Sequence, residues 1–288
     1  MNSSELLNLR LYNQLLSTHN LKDPIEVVSY MCAMQSQALD LAKWAIRSRL
    51  KVSCNKSVTD ALNSGEIIRT HILRPTWHFV TAEDIYWMYE LSYPRLKPVY
   101  QSYAKMLNTD ESFLYSYLPR IERLLRDGRH LTKQEIGNKL KDAGFELDDN
   151  NLSVLLSFAE LEGIIVNGRL DGNKQTFTLL EEWAPKRKSI TRDEALKRLA
   201  DKFFRSHGPA TLQDFVWWSG LTLTESRKAL EMNNSLFVSE MVNGRECWMA
   251  NDIKSPPSYN DSALLLAPFD EFLVSYKDRS EIFDSEHL

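Results

Sequence analysis

Two glutamines, Gln35 and Gln37, stand two positions apart in the run Met34-Gln35-Ser36-Gln37-Ala38. A glutamine is neither acid nor base near neutral pH; its amide only donates and accepts hydrogen bonds. A site built on such a pair cannot rely on strong proton abstraction. It suits a reaction whose leaving group is already good, where carbonyl dipoles hold a water and stabilise developing positive charge. Spacing decides whether the amides meet. On a regular helix, residues two apart diverge; where a helix gives way to extended chain, i and i+2 point the same way. The plainer alternative is that both glutamines cap the helix or face solvent. Asp40, three residues after Gln37, is either a supporting carboxylate or a cap.

A second stretch, Ile67 to Val80, contains Arg69 and then Arg74-Pro75-Thr76-Trp77-His78-Phe79. On an extended strand Arg74, Thr76 and His78 share one face, and Trp77 and Phe79 share the other. That gives a polar, partly cationic face backed by aromatics, suited to a phosphate or a base; the alternative is an edge strand with polar residues in solvent. Lys186, Arg187 and Lys188 form a short basic run beside Pro185. Such a run either follows a phosphate backbone or is a solvated linker.

The elements that must carry these residues leave local signals. Asp23-Pro24-Ile25-Glu26 offers a cap, a proline at the first helical position and a carboxylate at the third. Thr132-x-x-Glu135, Thr191-x-x-Glu194 and Thr222-x-x-Glu225 read as capping boxes. Leu152, Leu155, Leu156 and Ala159 follow helical spacing. Hairpins are expected over 164–179, around Asn167-Gly168 and Asp171-Gly172, and over 236–249, around Asn243-Gly244. The order helix, helix, helix, hairpin thus appears twice, at 111–180 and 191–250. RHLTKQEIGNKLKDAG in one copy parallels GPATLQDFVWWSGL in the other. This is the layout of a winged helix. The fold class expected is mainly α with small β-hairpins, as tandem winged-helix units: 1–107 with the glutamine pair, 108–185, 186–254, and 255–288 as the start of a β-rich part. After the break at Ser255-Pro256-Pro257, the segment Leu264 to Leu273 is expected to be an apolar strand running into an acidic turn, after which the chain stops as if cut short.

Composition sets the outer bounds. Hydrophobic residues make up 43% and charged residues 26% of 288, enough for real cores. No apolar run reaches the length of a membrane span, and the first residues lack the basic start and apolar block of a signal peptide, so a cytoplasmic protein is expected. Cys32, Cys54 and Cys247 form no C-x-x-C pair and the six histidines are scattered, so neither a metal site nor a cofactor is expected. A net charge of −4 argues against a protein wrapped in nucleic acid on all sides. It is compatible with one basic face.

Three segments resemble the AlkZ/YcaQ-like family of DNA glycosylases. MCAMQSQALDLAKWAIRSRL is similar to the segment with that family's Gln-aliphatic-Gln motif, with Ser36 in place of the aliphatic residue. IIRTHILRPTWHFV is similar to its R-T-x-x-x-R-G-T-x-H-F stretch, with Pro75 where glycine is usual, and LLAPFDEFLVSYKDRS is similar to its P-F-D-E-x-L-x-x-Y-x-D-R stretch. Gln37 places the chain nearer the AlkZ branch, since YcaQ-like members carry aspartate there. The resemblance implies tandem winged helices and excision of alkylated bases, with Gln35 and Gln37 catalytic and Asp40, Thr76, His78 and Asp270 as active-site support. Arg69, Arg74, Lys186, Arg187 and Lys188 are then the expected DNA contacts. An N7- or N3-alkylated purine already carries positive charge, so its glycosidic bond breaks without protonation, which agrees with an amide site. No lysine stands beside the pair to form a Schiff base, so hydrolysis is expected to be monofunctional. The expected partner is damaged double-stranded DNA, bound by a monomer near the nucleoid. The rival readings are a winged-helix transcription regulator and a catalytically dead relative that binds damaged DNA or a protein partner.

Overall fold

The structure is a computed structural model and describes residues 1–18, 20–106, 109–186, 188–253 and 263–283. The chain opens with α1 (Ser3–Asn13), α2 (Pro24–Met31), the short extended segment β1 (Met34–Gln35) and α3 (Leu39–Arg47). There follow α4 (Asn55–Asn63), the antiparallel pair β2 (Ile67–His71) and β3 (Trp77–Thr81), and the long α5 (Ile85–Met106). Next come α6 (Glu111–Leu125), β4 (Leu131–Thr132), α7 (Lys133–Asp142), α8 (Asp149–Leu161), β5 (Ile165–Asn167), β6 (Thr176–Leu179) and α9 (Leu180–Trp183). The last stretch holds α10 (Arg192–Ser206), α11 (Leu212–Ser219), α12 (Leu223–Glu231), β7 (Phe237–Val242), β8 (Arg245–Ala250) and α13 (Glu271–Val274). The protein is mainly helical with small antiparallel sheets, as the sequence leads one to expect.

Two compact units result. The first joins both flanks of the chain, Met1–Val58 and Ile190–Leu288; the second is Thr59–Ser189. Of the segments expected from sequence, 1–107 is divided between the units, while 108–185 lies in the second and most of 186–254 in the first.

In the second unit, α6, α7 and α8 precede β5 and β6, and β4 joins the sheet in the order β4-β6-β5. This is the element order of a winged helix. Leu152, Leu155, Leu156 and Ala159 of α8 are buried with Ile121, Ile136, Ile165 and Leu179 in one apolar cluster. In the first unit α10, α11 and α12 precede the β7–β8 hairpin in the same order. Its turn is Asn243-Gly244, at φ 49 and 74, the doubly positive pair that a two-residue hairpin turn demands. The core here is aromatic: Phe203 packs 5.0 Å from Trp218 and 5.1 Å from Phe215, ring centre to ring centre.

Local chemistry explains the helix starts. Asp23 accepts the Ile25 amide ahead of Pro24. Complete capping boxes stand at Thr132/Glu135, Thr191/Glu194, Thr211/Asp214 and Thr222/Glu225. The paired segments RHLTKQEIGNKLKDAG and GPATLQDFVWWSGL therefore share a real device, the boxes at Thr132 and Thr211.

Three local expectations need correction. The helix from Asp23, which the apolar spacing carries on to the glutamine run at Met34–Ala38, ends at Met31, because Cys32 takes φ 68 and turns the chain. Arg74 and Thr76 do not lie on a strand with His78: β2 ends at His71, Leu73 takes φ 60, and β3 begins only at Trp77. Residues 263–283 hold the one-turn helix α13 and, among the described residues, no strand. The Ser255-Pro256-Pro257 break lies outside the described residues.

Candidate functional site

The chain leaves α2 at Met31 and is extended by Met34, before α3 starts at Leu39. Met34 and Ser36 are buried, Gln35 is half-buried and Gln37 is exposed. Burial at Met34 and Ser36 with greater exposure at Gln35 and Gln37 is the period of two of extended chain. Ser36 fills the inward position, where a small side chain fits against the core.

What holds this segment lies far along the sequence. The Gln35 amide donates to Glu271 Oε1 at 2.5 Å. The other oxygen of that carboxylate receives Trp218 Nε1 at 3.0 Å and the Ser275 hydroxyl at 2.6 Å, with His207 Nε2 at 3.5 Å. Glu271 is fully buried. Burial would raise its pKa, but the donors from His207, Ser275 and Gln35 outweigh it and hold the carboxyl at about 2. His207 itself is held below the usual histidine range by burial. Glu271 therefore stays ionised, and it ties the glutamine segment to α10, α11 and α13.

Its neighbour Asp270 does a different job. Both its oxygens receive the Arg49 guanidinium, at 2.7 and 2.8 Å, and both side chains are wholly buried. Arg49 also donates to Gln14 Oε1 at 3.1 Å, Gln14 to the Tyr276 hydroxyl at 3.0 Å, and Tyr276 to the His207 carbonyl at 2.8 Å. Asp270 further accepts the Phe272 amide and so caps α13. Asp40, by contrast, is exposed in the first turn of α3 and pairs with Lys43 at 2.8 Å.

Within the second unit, Arg69 is buried rather than presented to phosphates. It donates to Asn167 Oδ1 at 3.1 Å and to Gln175, and its guanidinium lies 4.2 Å from the Trp77 ring centre. Burial lowers its pKa to about 10, so it remains a cation. Beside it His71 Nδ1 lies 2.9 Å from Glu160 Oε2, and Asn167 donates to the other Glu160 oxygen. His78 is buried, with Nδ1 2.9 Å from the Thr76 carbonyl. Arg74 and Thr76 are half-buried on the β2–β3 connection. Lys186 and Lys188 are exposed; Arg187 lies outside the described residues. Among the described residues no cluster of histidine, cysteine and carboxylate side chains is arranged to hold a metal. No helix among them is long and apolar enough to cross a membrane.

The family model described as DNA glycosylase AlkZ-like matches residues 28–288. No curated protein sequence matches at the threshold of significance. Among solved structures, the Streptomyces sahachiroi DNA glycosylase AlkZ has the same fold. Its TM-score is 0.79 at 20% identity, over 100% of this chain and 81% of that one.

Proposed function

The chain belongs to the AlkZ-like DNA glycosylase family, and from that premise we propose that it excises cationic alkylated purines, N7 and N3 adducts and crosslinks built on them, through Gln35 and Gln37. As a member of that family it is a DNA repair enzyme that hydrolyses N-glycosidic bonds, which sets it apart from regulators of the same winged-helix order. The observation that carries the reading is alternate burial beside a buried anchor: Gln35 and Gln37 are the less buried residues on either side of Ser36, and Glu271 accepts the Gln35 backbone amide.

The chemistry follows from the residue type. A cationic purine needs no general acid, because the positive charge already draws the bonding electrons into the ring. Water then attacks the sugar carbon as the bond breaks. The amide carbonyls orient that water and face the growing positive charge on the sugar; this is preorganised electrostatic stabilisation. Deprotonation of the water completes after attack, when it has become strongly acidic. The enzyme acts as a monomer on damaged duplex DNA in the cytoplasm, at the nucleoid. Exposed Lys186 and Lys188, with Arg74, contribute to phosphate binding.

Base release from duplex DNA containing N7-methylguanine tests this. Gln37→Ala and Gln35→Ala should each slow single-turnover release on the order of 10²-fold, by analogy with a lost oxyanion-hole donor. Duplex affinity should barely change, since phosphate contacts dominate it. Gln37→Asp keeps an acceptor and should retain activity. Wild-type release by the Gln35→Ala, Gln37→Ala double variant ends the proposal.

A further inference from the structure

Immediately before the two anchoring carboxylates the chain turns sharply. The Asp270 amide donates to the Ala267 carbonyl at 3.0 Å, closing a four-residue turn with Pro268 and Phe269 at its centre. Phe269 takes φ 66. A turn with proline second and a positive φ third is the type that calls for glycine or asparagine at that third place, and an aromatic residue there is a genuine outlier. Nor does the ring gain a core position in return, since it is 49% exposed. Strain of this kind persists where surrounding structure over-determines it, and it concentrates at functional sites. The surroundings do so here. Asp270 is clamped by Arg49, Glu271 by the Gln35 amide.

Two further apolar side chains of this unit are exposed. Leu265 is 79% exposed, and its carbonyl accepts Trp44 Nε1 at 3.1 Å; Trp44 itself is 39% exposed. This bond ties the segment leading into the turn to α3, the helix that begins two residues after Gln37. A strained aromatic is thus held in solvent on a rigid turn, two residues from the carboxylate that anchors the glutamine pair, in an enzyme whose partner is DNA.

We propose that Phe269 is a base-contacting residue, whose ring stacks on a nucleobase of the bound duplex beside the lesion and opens the helix there. Aromatic rings stack on any base regardless of sequence, and apolar side chains inserted at a base step unstack it. The inference rests on the glutamine site above and adds the group that delivers the lesion to it. The strain supplies an unusual test, because glycine at position 269 suits the backbone better than phenylalanine. Phe269→Gly and Phe269→Asn should melt no lower than the wild type. They should nevertheless slow single-turnover release of N7-methylguanine about ten-fold or more, while Phe269→Trp stays within a few-fold of wild type. A 2-aminopurine placed next to the lesion should brighten on binding wild-type protein and fail to brighten with Phe269→Gly.

Full-rate release and full 2-aminopurine signal with Phe269→Gly overturn the proposal. So does a Phe269→Gly protein that melts well below wild type or does not fold, because the ring is then a packing element. Gln37→Ala, run alongside, separates the two readings. If it keeps full activity while Phe269→Gly loses the fluorescence change, the glutamine assignment fails and the stacking residue stands. If Gln37→Ala is slow and Phe269→Gly normal, only the stacking residue falls.

Discussion

Asp270 and Glu271 are adjacent carboxylates with different duties. Asp270 neutralises Arg49 inside the first unit, while Glu271 accepts a backbone amide, an indole and a hydroxyl at one buried point. That makes Glu271 a positioning residue for Gln35 and predicts how the unit responds to acid. The unfolded reference is about 4.3 for a glutamate and about 6.5 for a histidine. Both Glu271, at about 2, and His207 are depressed in the folded state. On acidification the unfolded chain therefore binds protons first. Stability present at neutral pH should begin to fall below about pH 6.5 through His207, and fall further below about 4.3 through Glu271. The Glu271 contribution is lost as pH falls toward 2. Urea midpoints between pH 8 and 3 check this. Glu271→Gln should start lower at pH 7 and lose less below pH 4.3; an unchanged pH profile in that variant would contradict the assignment.

Among elements, the legible ones were those written by neighbours in sequence. A capping box involves residues three apart, and the boxes read at Thr132, Thr191 and Thr222 are all present. Replacing Thr222 with alanine should cost about 1 kcal/mol, measured as a lower melting temperature with activity per folded molecule unchanged. A larger loss of activity than of stability would mean that α12 is more than scaffold. The Asn243-Gly244 turn is legible for the same local reason, but Asn167-Gly168 is not a turn: Asn167 ends β5, and the positive φ of that hairpin falls at Gly172. What stayed hidden was set by distant packing. Arg69 is a DNA contact by the family resemblance, yet Asn167, Gln175 and Glu160, a hundred residues on, enclose it. Arg74 and Thr76 seemed to share a strand with His78 because alternation cannot announce a residue such as Leu73 turning to positive φ. The bond between Glu271 and Gln35 leaves no local trace, because 236 residues separate the two.

For the whole molecule, net charge and DNA binding have to be reconciled. A chain of net charge −4 that binds DNA must gather its cations locally. Lys186 and Lys188 are exposed while Arg69 is not, so Lys186→Ala and Lys188→Ala should each reduce the slope of log affinity against log salt by about 1, uniformly across sequences. Arg69→Ala should leave that slope unchanged and destabilise the protein instead. Fluorescence titration of a duplex from 50 to 200 mM salt distinguishes these; a reduced slope in Arg69→Ala, or an unaltered one in the lysine variants, would reverse the assignment.

The division of the chain also has a temporal side. The second unit, Thr59–Ser189, is continuous, whereas the first is assembled from Met1–Val58 and Ile190–Leu288. Synthesis proceeds from the N-terminus, and compact units fold as they become complete. Thr59–Ser189 therefore has all its parts well before the unit that carries Gln35. The glutamine segment leaves the ribosome early but must wait for residue 271 to emerge before Glu271 can receive its amide. A ribosome stalled near residue 250 should display a folded Thr59–Ser189 unit and an N-terminal segment still lacking its anchor.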